Sequence, residues 1–186
     1  MKKAVFIVAI LFVAVVSTAC INNVAVQELN NAAEVSMSKG DYDSAIQKLE
    51  ASLDLDSNIF ETYYNLGIAY IEARQYSKAV DALEKSIKLN SKYPNNYYSL
   101  AYAKEALADE MFDFDEPQDI TNTDGIVKAH YSNELSEEDK TVMIENYSSA
   151  IENYTKYLNM NIPDAKKEEV TSHIKDIEKV LEKLNY

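Results

Sequence analysis

Eleven carboxylates fall within 32 residues of this chain: Asp109, Glu110, Asp113, Asp115, Glu116, Asp119, Asp124, Glu134, Glu137, Glu138 and Asp139. Lys128 and Lys140 are the only bases in that stretch, so residues 109–140 carry a net charge of −9. Clustered carboxylate oxygens are the chemistry of divalent cations, and Asp113, Asp115, Asp119 and Asp124 are the candidate ligands. Their spacing departs from the calcium-loop pattern, in which acids alternate and a glycine holds the sixth place. A solvated loop accounts better for so polar a run. Docking is a third use. Met111, Phe112 and Phe114 sit beside acids, an arrangement suited to a basic partner with an apolar pocket.

Other chemistry is sparse. His130 and His173 stand alone, neither in a metal-ligand spacing. Three glycines are too few for a phosphate-cradling loop, and no nucleophile elbow occurs. Paired carboxylate catalysis needs two acids held across a cleft, and nothing here fixes a chosen pair. No catalytic residue, metal or cofactor is expected. Cys20 is the sole cysteine and forms no internal disulfide. The net charge of −13 excludes nucleic-acid binding through phosphates, which rests on clustered Lys and Arg.

The elements that would position any site follow a period. Tyr63, Leu66, Gly67, Tyr70, Tyr76, Ala79 and Leu83 form one unit. Tyr42, Ala45 and Leu49 precede their equivalents by 34 residues, and Tyr97, Leu100 and Ala101 follow theirs by 34. Such a period marks stacked helical hairpins. The first hairpin is expected near Val24–Ser38 and Asp41–Leu55, with Gly40 ending one helix and Asp41 capping the next. The second is expected near Ile59–Ala73 and Tyr76–Leu89. Pro94 opens the third. Tyr147, Ala150, Tyr154, Tyr157, Leu158 and Met160 match Tyr76, Ala79, Leu83, Ser86, Ile87 and Leu89 at a spacing of 71, so a 37-residue insertion interrupts the third hairpin. Part of it lengthens the flanking helices, and Ser136 with Asp139 reads as a capping box. After Pro163 a last helix, Asp164–Leu184, carries one narrow stripe of Val170, Ile174, Ile177, Leu181 and Leu184. The stripe suits a cap on the stack, or a two-stranded seam joining a homodimer.

The middle unit resembles the tetratricopeptide repeat, with Tyr63-x2-Leu66-Gly67-x2-Tyr70 followed by Ala79-x3-Leu83. Tyr63 stands where the family has Trp, and Ser91 where it often has Pro. Gly67 and Ala79 are small so that the two helices approach closely. The resemblance implies an all-α solenoid of about three hairpins with a C-terminal capping helix: repeats over residues 24–162, the acidic insertion at about 109–140 and the cap at 163–186. It also implies that the first helix of each hairpin lines a partner groove. Carried over residue by residue, that groove comprises Asn30, Glu34 and Met37, then Tyr64, Ile68, Ile71 and Glu72, then Tyr98, Tyr102 and Glu105. The wall is aromatic, apolar and acidic, and it lacks the Lys and Arg with which one subclass clamps a terminal carboxylate. It suits a protein or peptide partner of basic and apolar character. Packing of Tyr64, Tyr98 and Tyr102 on the insertion or the last helix is the alternative.

Lys2 and Lys3, the apolar run Ala4–Val16 and the small residues Ser17, Thr18 and Ala19 have the order of a secretory signal, residues 1–19. Thirteen apolar residues are short for a hydrocarbon core of ~30 Å. Cys20 directly after them resembles a bacterial lipobox, with Ser17 where that motif usually has Leu. The resemblance implies lipidation of Cys20, a short tether at residues 20–23 and anchorage to a bacterial membrane in the cell envelope; the alternatives are an ordinary signal peptide that ends near a cysteine, or an uncleaved membrane anchor. Loss of residues 1–19 removes two lysines and no acids, leaving 16 bases against 31 acids, or −15. Anionic headgroups repel such a chain, so the lipid must hold it. Together these readings imply a membrane-anchored adaptor or assembly factor. The other readings are a divalent-cation-binding or sensing module built on the acidic insertion, and a self-associating structural subunit.

Overall fold

The computed structural model describes residues 23–113 and 136–184. Cys20, the signal-like segment and the insertion residues Asp115, Asp119 and Asp124 lie outside them. Among the described residues there are seven α-helices and no strand. They are α1 (residues 23–38), α2 (Tyr42–Leu55), α3 (Phe60–Glu72), α4 (Tyr76–Leu89), α5 (Pro94–Asp113), α6 (Glu137–Leu158) and α7 (Asp164–Leu184). The fold is that of an all-α helical-repeat solenoid, as the period predicts. The chain divides into two compact units, residues 1–91 and 92–186. No described helix is long and apolar enough to cross a membrane.

In the first unit the 34-residue period extends to individual hydrogen bonds. At the end of α1, Gly40 N–H donates to Met37 O at 2.9 Å and Asp41 N–H to Ser36 O at 3.0 Å. At the end of α3, Arg74 N–H donates to Ile71 O at 2.9 Å and Gln75 N–H to Tyr70 O at 2.8 Å. Both pairs close a Schellman turn, which needs a left-handed residue just past the helix. Gly40 supplies it at φ 74°, and Arg74 does so at φ 55° despite its Cβ. Asp41 then caps α2, its Oδ1 accepting from Ser44 N–H at 3.1 Å.

The α3–α4 hairpin is as close as the small residues predict. A Cβ placed on Gly67 would lie 2.6 Å from Leu83 Cγ. Ala79 and Leu83 are fully buried, as are Ala33, Ala45, Leu49 and Ala69. Tyr70 fills the space between hairpins, and its hydroxyl donates to Glu50 Oε1 at 2.8 Å. Four small polar residues are buried as well, and they recur at the same period. Ser52 and Ser86 are 34 apart, Thr62 and Asn96 are 34 apart, and none of the four is exposed.

The second unit has longer helices. Its α5 has 20 residues against 13 in α3, and α6 has 22 against 14 in α4, so the insertion does extend both. Ser136 Oγ accepts from Asp139 N–H at 3.0 Å and starts α6. Asp139 Oδ2 takes the Ser136 hydroxyl at 2.6 Å. The core contains Met143, Tyr147, Ala150, Tyr154 and Tyr157 of α6, with Ala101 and Ala108 of α5. Val170 and Ile177 of α7 are buried in it, and Ile174, Leu181 and Leu184 pack against it. Val170 and Ile177 of the α7 stripe are thus buried by its own chain, and Ile174, Leu181 and Leu184 are partly so. Met111 also packs on this core and is no free docking residue.

Candidate functional site

The predicted groove residues can be placed one by one. On α1, Glu34 is exposed and Met37 half-buried. On α3, Tyr64, Ile68 and Ile71 are half-buried and Glu72 is exposed. Spacings of four and three put Tyr64, Ile68 and Ile71 on one stripe, away from the buried Leu66, Ala69 and Tyr70. Glu72 Oε2 accepts from the Tyr42 hydroxyl at 3.3 Å.

Asn30, half-buried on the same stripe of α1 as Glu34 and Met37, is engaged by neighbouring helices. Its Nδ2 lies 3.0 Å from Val26 O, 3.1 Å from Ser52 Oγ and 3.1 Å from Thr62 Oγ1. The short amide reaches two buried hydroxyls, while its own Oδ1 is buried without a partner among the described residues. It ties α1 to α2 and α3.

Charge separates the helices of this unit. Across α1 and α3 stand Glu28, Glu34, Glu61 and Glu72, with no Lys or Arg. The bases are on α2 and α4: Lys48, Lys78, Lys85 and Lys88. Lys78 Nζ lies 5.5 Å over the Tyr70 ring and Lys85 Nζ 5.6 Å over the Tyr63 ring. Those contacts hold both ammonium groups against aromatic faces.

In the second unit Tyr98, Tyr102 and Glu105 share one face of α5. Tyr98 is largely drawn into packing: its ring centroid is 5.6 Å from Tyr154 and 5.3 Å from Tyr157. Tyr102 is 44% exposed. Glu105 Oε2 accepts from the Tyr154 hydroxyl at 3.0 Å and lies 2.8 Å from His173 Nε2 on α7. The Tyr154 and His173 rings meet edge to face at 5.4 Å. Burial pushes Tyr154 well above the usual phenol range, and Glu105 adds to it. Burial likewise raises Tyr98. Self-packing therefore accounts for Tyr98 and part of Glu105, and leaves Tyr102 open. His173, solitary in sequence, acquires its partner only through the fold, across 68 residues.

Among the described residues no group of three or more His, Cys, Asp or Glu side chains could hold a metal ion. Asp115, Asp119 and Asp124 lie outside those residues, as does Phe114; nothing is described of the Phe112 and Asp113 side chains.

Residues 25–92 match the sequence profile of the tetratricopeptide repeat family. Three solved structures are similar to this chain. The first repeat domain of Spaghetti (RPAP3), bound to the HSP90 peptide SRMEEVD, aligns at a TM-score of 0.57 and 17% identity, over 84% of this chain and 94% of that one. The Sgt2 domain from Aspergillus fumigatus aligns at 0.53 and 16%, over 86% and 81%. The Yersinia enterocolitica type III secretion translocator chaperone SycD aligns at 0.53 and 16%, over 84% and 85%. At such identities the likeness is one of fold. No curated protein sequence matches the chain.

Proposed function

We propose that this tetratricopeptide protein is a lipid-anchored adaptor or assembly factor of a bacterial cell envelope, binding a basic and apolar segment of another protein. One observation carries the reading of the partner. The first-helix face of the first unit presents Met37, Tyr64, Ile68 and Ile71 among carboxylates only. An apolar stripe framed by one sign of charge selects the opposite sign in its ligand. The peptide held by the Spaghetti domain, SRMEEVD, has three acids and one Arg. Glu34 and Glu72 would repel such a ligand, so the partner here is of the opposite kind.

Anchorage rests on the order of Lys2, Lys3, the run Ala4–Val16 and Cys20. A diacyl chain on Cys20 would hold the protein by apolar burial, against the electrostatic repulsion of a −15 chain. Metabolic labelling with an alkynyl fatty acid tests it. Label present in the wild type and absent from Cys20→Ala is expected, and equal labelling would end the anchor reading.

The partner reading is tested by brief crosslinking and affinity purification from membranes. A Tyr64→Ala/Ile71→Ala variant, shown to be folded by circular dichroism, is compared with the wild type. Proteins lost only from the variant identify the partner. Recovery of the same proteins at the same yield would refute this face as the working surface.

A further inference from the structure

Met37, Ile71 and Glu105 hold the equivalent groove position in the three repeats, at successive spacings of 34. Two are apolar and the third is a carboxylate, with its side chain only 13% exposed. A carboxylate so covered is costly unless it is paired. Only one of its oxygens is used. Oε2 takes both the Tyr154 hydroxyl and the His173 imidazole, and among the described residues Oε1 takes no hydrogen bond. Tyr102 and Tyr98 lie one and two turns back on the same face of α5. Aromatic rings beside a half-satisfied carboxylate are the chemistry that holds a planar cation, which stacks on the ring and donates two N–H bonds to the two oxygens. The imidazole now on Oε2 comes from α7 and is itself 44% exposed, so it sits at the rim of the site.

We propose that Tyr98, Tyr102 and Glu105 form an acceptor for an arginine side chain of the partner, and that His173 of α7 is an internal plug competing for the same carboxylate. The proposal rests on the reading that the first-helix faces bind a basic partner, and it adds the group recognised and its control. A guanidinium brings a second N–H to the open Oε1, which the single imidazole nitrogen cannot reach while it holds Oε2. The incoming arginine therefore displaces His173 and loosens the attachment of α7 to α5.

The test uses the full-length protein in detergent micelles. Two fluorescein-labelled peptides of alternating Leu and Arg are compared by fluorescence anisotropy, one of them with citrulline in place of every Arg. The wild type is expected to prefer the arginine peptide by about ten-fold or more, the size of a desolvated charge-assisted pair. Glu105→Gln should remove most of that preference. His173→Ala should tighten binding several-fold with the preference intact, which a merely structural histidine would not do. Tyr102→Ala, at an exposed position, should weaken binding several-fold without loss of helicity, and stands in if Glu105→Gln fails to fold. Binding that survives Glu105→Gln and Tyr102→Ala but is lost in Tyr64→Ala/Ile71→Ala would overturn this acceptor and leave the broader reading standing. Unchanged or weaker binding in His173→Ala would overturn the plug. Equal affinity for both peptides would overturn the acceptor and the basic-partner reading together.

Discussion

Replacement of Gly67 by alanine is the sharpest test of how closely α3 and α4 approach. The new methyl carbon would lie 2.6 Å from Leu83 Cγ, 2.8 Å from Cδ2 and 3.3 Å from Cδ1. Carbon atoms rest at about 3.5–4.0 Å, so the first contact is short by roughly 1 Å. Leu83 has little room to yield, since it is fully buried and Cγ is its branch point. Relief requires the helices to part, and overpacking of that kind costs up to about 3 kcal/mol. Alanine returns about 1 kcal/mol through its helix propensity. The net loss is about 2 kcal/mol, which lowers a urea midpoint by about 1 M for a small unit. The measurement is urea unfolding of the soluble form lacking residues 1–20, followed by circular dichroism. Leu83→Ala alone should cost about 2–5 kcal/mol. The double variant should lose less than the two singles combined, because the new methyl enters the space the leucine leaves. A Gly67→Ala midpoint at or above that of the wild type would refute the argument, showing that the hairpin has slack.

Three further outcomes follow from the same structure. Arg74→Gly should raise stability by about 1 kcal/mol, since φ 55° costs any residue with a Cβ about that much, and Gly40→Ala should lower it by a similar amount in the same urea assay. Asn30→Ala should cost about 1–3 kcal/mol by stranding the Ser52 and Thr62 hydroxyls, while crosslinking to the partner stays at wild-type yield. Alkali should unfold the protein. Burial and then Glu50 push Tyr70 up to about 12, and burial raises Tyr154. A raised folded-state value means that stability is whole below the ordinary phenol range near 10 and is lost as pH climbs towards 12. Urea midpoints between pH 9 and 12 should fall in the wild type and fall less in Tyr70→Phe.

The hairpins were readable because their requirements are local and repeated. Gly67, Ala79 and Leu83 announce a close helix pair, and Gly40 before Asp41 announces a stop and a start. The left-handed turn at Arg74 was equally available, 34 residues after Gly40, but an arginine hides it. The hydrogen bonds of Asn30 to Ser52 and Thr62 had no signal in the family register, which fixes where a Cα sits and says nothing of the partners of a short amide. The recurrence of Ser52 with Ser86 and Thr62 with Asn96 was the signal of polar residues turned inward. The His173–Glu105 contact had no signal at all, since it depends on how α7 returns to α5 after a 37-residue insertion.

Among the described residues, the acids that bond from one helix to another do so largely with neutral donors. Tyr42, Tyr70, Tyr147 and Tyr154 hydroxyls donate to Glu72, Glu50, Asp109 and Glu105. By contrast Lys140, Lys156, Lys166, Lys167 and Lys179 pair with acids three or four residues away on their own helices. A phenol bridges two helices without cancelling any charge, so the folded protein keeps most of its 31 carboxylates as mutually repelling anions. Dissolved ions weaken that repulsion over a Debye length of about 10 Å at 0.1 M and hardly touch a hydrogen bond between atoms in contact. The helices are thus joined by bonds that brine spares, and folding should become more favourable as ionic strength rises.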